Sequence, residues 1–262
     1  MTSFARSAFC ALALWLLAMP RPALAQASVL RLDTRPGVTL ALYWAPVDAA
    51  RATVLLFPGG GGGFGRIENG LPSSANFLVR SITHFRAQGL NVAVFGKPTD
   101  MPELDVAERT SAAHLADVRA AVDAVRERSS APLWLVGTSR GTVSVTAAAI
   151  GLPPASVRGV VLTASLVNMN RPGALMQQDL AALRLPVLVV HHARDACGLC
   201  RPADVPWLLR GLTNAPVKKL LMLDGGADPR GPVCDALHWH GFIGMEQETV
   251  EAIAAWIAQP VN

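Results

Sequence analysis

Residues 133–145 read LWLVGTSRGTVSV: an apolar run, then Gly137-Thr138-Ser139-Arg140-Gly141, then a string of small residues. The apolar run has the length of a strand buried on both faces, and the residues from Gly141 onward suit a helix. Ser139 therefore falls on the turn between them. A serine on such a turn is held in a strained backbone conformation, and the positions two before and two after it approach neighbouring backbone too closely for a side chain. Gly137 and Gly141 meet that need. The strain lifts the hydroxyl above the carboxyl edge of the sheet, and the first N–H groups of the following helix, that of Arg140 among them, point at any negative charge developing beside it. In a chain with 22 glycines the Gly-x-Ser-x-Gly spacing also arises by chance, so the partners decide the reading.

Serine at neutral pH is a poor nucleophile, and activating it takes a histidine base, a carboxylate to orient that base, and a second oxyanion donor. Working outward, the sequence predicts strands at 53–57, 91–95, 133–136, 159–163, 186–190 and 219–223, each bounded by Gly, Pro or Asp. Helical patterns lie between them at 74–88, 111–128, 141–150, 175–183 and 205–211, and a last one at 246–258 closes the chain. Runs at 29–32 and 38–44, around the turn-prone Arg35-Pro36-Gly37, read as an opening antiparallel hairpin. Strands alternating with helices in this way make an α/β fold: a mostly parallel central sheet, an antiparallel N-terminal hairpin, and helices on both faces.

On that frame the partners fall at one edge. The next-to-last strand runs into His191-His192-Ala193-Arg194-Asp195, which places Asp195 in the loop at its carboxyl end. After the last strand a long loop ends in His238-Trp239-His240-Gly241-Phe242, just before the closing helix. His240 is favoured over His238 because it directly precedes Gly241-Phe242 and that helix. His84 and His114 fall in helical patterns away from this edge, and His191 and His192 read as loop structure beside the acid. Asp224, Asp228 and Asp235 are competing carboxylates in solvated loops. The strand at 53–57 ends in Pro58 and a polyglycine tip, where N–H groups can approach an oxyanion without steric cost; Gly60 is the expected donor and Gly61 the next choice.

The four stretches FPGGGGG, GTSRG, HHARD and HWHGF, in this order and at these strand ends, resemble the α/β-hydrolase superfamily over the whole chain beyond residue 25. The resemblance implies a Ser139, His240, Asp195 triad with no cofactor; the Gly60 and Arg140 amides are the expected oxyanion hole, and no metal is expected. One departure is Pro58-Gly59 where that superfamily usually has His-Gly. The expected chemistry is attack of Ser139 on an acyl carbonyl, most readily a carboxylic ester. Peptidase or amidase activity by the same groups stays open, as does a non-catalytic binding protein on this scaffold.

The N-terminal segment 1–25 carries Arg6, an apolar run and Ala23-Leu24-Ala25, and reads as a signal peptide leaving a single domain at 26–262 in the periplasm or outside the cell. Its apolar run is too short to span a bilayer, so no membrane association is expected after cleavage. The formal net charge of +4 comes from 23 basic and 19 acidic residues, and cleavage removes two of the basic ones. No Lys/Arg cluster provides a nucleic-acid footprint, which leaves a small-molecule or surface-bound acyl group as the expected partner.

An oxidising compartment favours cysteine pairing, and Cys197, Cys200 and Cys234 are an odd number. A Cys197–Cys234 bridge would tie the acid loop to the base loop and leave Cys200 free. Cys197-Gly198-Leu199-Cys200 also has the spacing of a redox pair, or of a metal site with His191 and His192. Between 163 and 186 there is room for little more than one helix, so the cleft should be open, without a lid. Trp134 is expected inside its strand, and Trp239 either lines the cleft or caps the core.

Overall fold

The computed structural model describes residues 26–153 and 155–262. The signal-peptide segment expected at 1–25 lies outside the described residues. Eight strands form one sheet: β1 (Ser28–Arg35), β2 (Val38–Ala45), β3 (Ala52–Phe57), β4 (Leu90–Pro98), β5 (Leu133–Thr138), β6 (Gly159–Thr163), β7 (Val187–His192) and β8 (Lys218–Leu223). Their order across the sheet is β1-β2-β4-β3-β5-β6-β7-β8. The β1–β2 and β2–β4 pairs are antiparallel, and from β4 to β8 every pair is parallel.

The crossovers are α1 (Phe77–Arg80), α2 (Ile82–Ala87), α3 (Val106–Arg109), α4 (Ala112–Arg128), α5 (Gly141–Gly151) and α6 (Val205–Gly211), with α7 (Glu246–Ala258) last. Alternate side chains of each parallel strand serve opposite faces. Leu55, Leu135, Val160 and Val189 pack on one face with Val118 and Val122 of α4, Val143 of α5 and Leu208 of α6. Val54, Trp134, Val161 and Leu188 pack on the other with Phe85 of α2 and Ile253 and Trp256 of α7. Trp134 lies inside its strand as expected, its ring edge-on to Trp256 at 5.6 Å.

Two helical expectations change. The pattern at 74–88 divides into α1 and α2 at Ser81, and the helix begins only where the Asn76 side chain accepts a hydrogen bond from the Leu78 N–H. The pattern at 175–183 becomes two single 3-10 turns, Leu175–Gln177 and Leu180–Ala182. Leu175, Leu180 and Leu183 are all buried. One continuous helix would set Leu175 and Leu180 about 140° apart around its axis, so an extended break at Gln178 re-aims the second turn into the core.

Candidate active site

Ser139 occupies the turn between β5 and α5 with φ of 52°, in the left-handed region. A non-glycine residue there costs roughly 1–2 kcal/mol, so the surroundings must hold it. Its N–H donates to the Thr163 carbonyl at 3.0 Å, and its carbonyl accepts from the Thr142 N–H at 3.0 Å and the Thr142 hydroxyl at 2.6 Å. The flanking glycines are needed for contact. A Cβ on Gly137 would lie 2.5 Å from the Gly141 oxygen, and one on Gly141 would lie 2.0 Å from the Phe57 oxygen.

Asp195 follows β7, its N–H bonded to the His192 carbonyl at 3.1 Å. One carboxylate oxygen accepts from the Cys197 N–H at 2.9 Å, and the other meets His240 Nδ1 at 2.8 Å. The Asp195 side chain is fully buried and that of His240 is 6% exposed, so this contact is shielded from water. His240 sits in a 3-10 turn, Trp239–Gly241. Gly241 is required there because a Cβ would come within 1.9 Å of the Ala236 oxygen. Arg80 fastens this turn, with its guanidinium donating to the Gly241 and Ala75 carbonyls and to Glu246.

With Nδ1 committed to Asp195, the His240 ring keeps Nε2 for the cavity of about 660 Å³ that His240 and Ser139 both line. The polyglycine segment forms another wall. Its carbonyls are tied down. Gly59 O accepts from the Gly62 N–H and Gly61 O from the Leu104 N–H, both at 3.0 Å, while Pro58 O and Gly60 O each accept from Arg109 Nη2 at 3.1 Å. Gly59 lies so close to the elbow that a Cβ would be 3.0 Å from that of Ser139. Among the described residues, the Gly60 and Arg140 N–H groups donate to no other backbone group. Arg140 follows Ser139 in the turn, and Gly60 follows Gly59, which packs against Ser139.

Arg109, unsuspected from the sequence, is 1% exposed. Its other bonds run to Leu104 O at 2.8 Å and Ser144 Oγ at 2.9 Å, and His114 Nε2 meets the same Ser144 hydroxyl at 3.0 Å. Burial, together with the Arg140 charge, lowers the Arg109 pKa from its ordinary value to about 9. A cation kept in that position is there for its geometry, since its guanidinium fork reaches four oxygens at once.

His191 and His192 are not loop residues as expected; they end β7. His191 Nε2 accepts from the Ser165 N–H at 2.6 Å, and His192 stacks on Trp239 with ring centres 6.0 Å apart. Trp239 also carries Arg194 over its face at 4.3 Å, so it caps this end of the sheet. His238 is buried edge-on against Trp239 and does not reach the cavity. His84 is half-buried on α2. Of the rival carboxylates, Asp224 pairs with Arg194 at 2.7 Å, Asp228 is exposed, and Asp235 lines the cavity rim away from the His240 ring nitrogen that Asp195 holds.

Cys197 and Cys234 form a disulfide, joining residues 37 apart and thereby the acid and base loops. A loop of that size stabilises the fold by roughly 3–4 kcal/mol through the unfolded chain. Cys200 is free and buried. Burial pushes its thiol pKa well up, Asp195 adds to this, and the adjoining Ser139 hydroxyl works in the opposite direction. The CxxC spacing was its only signal in the sequence.

The strand order, the elbow and the acid and base loops together define the α/β-hydrolase fold. Solved structures with this fold include a serine hydrolase without a lid from Xanthomonas campestris, at 19% identity and a TM-score of 0.58, covering 87% of this chain and 95% of that one. An esterase from Pyrococcus furiosus has 13% identity and a TM-score of 0.64, with 90% and 92% covered. A puromycin-hydrolysing peptidase from Mycobacterium tuberculosis has 15% identity and a TM-score of 0.64, with 93% of this chain and 41% of that one covered. No protein-family profile and no curated protein sequence matches the chain.

Proposed function

We propose that the protein is an exported serine hydrolase that cleaves carboxylic esters through an acyl-enzyme. The observation that carries this is the buried 2.8 Å contact between His240 Nδ1 and Asp195, with the imidazole and a strained Ser139 lining one cavity. His240 Nε2 takes the hydroxyl proton as Ser139 Oγ bonds to the acyl carbon, and Asp195 holds the tautomer and stabilises the imidazolium. The carbonyl oxygen, now an oxyanion, accepts from the Gly60 and Arg140 amides. His240 then protonates the departing alcohol, and water, deprotonated by the same imidazole, releases the acid and frees Ser139.

The disulfide supports export, since such bridges persist in oxidising compartments, and the composition of 1–25 reads as the signal that would direct it. Amide hydrolysis is the second reading, favoured by the peptidase among the structural neighbours. A fluorophosphonate probe is expected to modify Ser139, and Ser139→Ala to lose both labelling and p-nitrophenyl ester turnover with its circular dichroism unchanged. A folded protein that neither labels nor turns over esters or anilides would leave the binding-protein reading in its place.

A further inference from the structure

Among the described residues one group could hold a metal ion: Cys197, Cys200 and His240, all buried, each with a ligand atom within 4.8 Å of the others'. A fourth ligand is attached to it, because Cys234 Sγ is bonded to Cys197 Sγ at 2.05 Å. Cys197 and Cys200 close a tight turn, the Cys200 N–H donating to the Cys197 carbonyl at 2.9 Å. That is the C-x-x-C spacing of structural zinc sites, with the second pair of ligands supplied by a separate loop. His240 already has the support that zinc-bound histidines have: Asp195 holds Nδ1 at 2.8 Å, so Nε2 is the nitrogen left to offer a lone pair.

We propose that reducing the Cys197–Cys234 bridge converts this corner of the active site into a Cys3His site for zinc or a similar thiophilic divalent ion, and that the bound ion takes His240 out of service. The disulfide and the metal site are alternatives built from the same sulfurs. Reduction by a dithiol delivers two electrons and two protons, yielding Cys197 and Cys234 thiols and the oxidised dithiol. Binding of the ion then displaces three thiol protons, while neutral His240 contributes a lone pair and gives up none. Access exists, because Cys234 is exposed and lines the cavity. The effect on turnover rests on His240 being the base; the binding itself does not.

Cobalt(II) is the probe. The dithiol-reduced, exchanged protein is expected to bind one equivalent with thiolate-to-cobalt charge-transfer absorption, and the oxidised protein none. Asp195→Asn should weaken binding by about 10- to 100-fold, and Cys200→Ala by more, since it removes a ligand. Ser139→Ala should bind as the parent does, so loss of ester turnover alone cannot mimic failure of this proposal. Zinc should abolish esterase activity of the reduced protein only, and a chelator should restore it. If the reduced chain unfolds, zinc should return its circular dichroism to that of the oxidised form. Absence of the charge-transfer band, the same band in Cys200→Ala, or a reduced chain that stays unfolded with zinc would overturn the proposal.

Discussion

The imidazoles of His114 and His191 are both buried, and that of His191 makes a bond that needs a neutral ring nitrogen. His191 Nε2 accepts a backbone N–H at 2.6 Å, so protonation there would break that bond. Burial lowers its pKa from 6.5 to about 4, Asp195 opposing and His240 adding to the fall. Burial, with Arg109 and Arg35 facing it, lowers that of His114 to about 3. Both folded-state values lie below the unfolded one, so below pH 6.5 the unfolded chain binds protons that the folded chain refuses. Stability is therefore full above about pH 6.5 and falls as pH drops towards 4, at about 1.4 kcal/mol per pH unit for each histidine. Urea unfolding between pH 7.5 and 4.5 should show this slope, and His114→Gln should remove one histidine's share. An unchanged slope in that variant would mean that the ring is protonated in the folded protein.

The polyglycine segment after β3 shows how an element with no side chains is given a fixed shape. The peptide that carries the Gly60 N–H has its carbonyl on Gly62, and Arg109 grips the carbonyls on either side. Arg109→Met leaves those oxygens without donors and lets the amide swing. Losing a whole oxyanion donor costs about 10²–10³ in kcat, so a misaimed one should cost about tenfold or more, with KM little changed. Lysine, a point charge without the fork, should not restore it. Steady-state kinetics on an ester separate this from a purely structural role, which would lower the amount of folded protein and leave kcat per labelled serine intact. Nothing in the run Val106-Ala107-Glu108-Arg109 sets that arginine apart from a solvated charge, because the two oxygens it holds in the polyglycine segment are about 50 positions away. The places of Ser139 and Asp195 were legible because each follows a strand, and an apolar strand buried on both faces is plain in sequence; that of His240 was legible from the loop before the closing helix. The segment at 175–183 was not, since its apolar spacing suits a helix until the core asks Leu180 to turn inward.

At the scale of the whole molecule, what decides the substrate is what stands over the carboxyl edge of the sheet. The β6–β7 connection, where a lid would be inserted, contains two 3-10 turns and no cap. Gly60, Ala75, Arg230, Asp235 and Leu237 line the cavity and are all exposed, so its mouth opens directly to solvent. An enclosed apolar channel would gain about 0.8 kcal/mol for each methylene it buries, close to a fourfold rise in kcat/KM per carbon until the channel is full. Here a longer acyl chain soon leaves the cavity and lies in water, where an added methylene gains nothing. Across p-nitrophenyl acetate, butyrate, octanoate and palmitate, kcat/KM should therefore level off at short chains and then stay flat or fall. A fourfold gain per carbon sustained to octanoate would require a buried apolar channel, and would show that the open cleft is closed over by a rearranged segment when substrate binds.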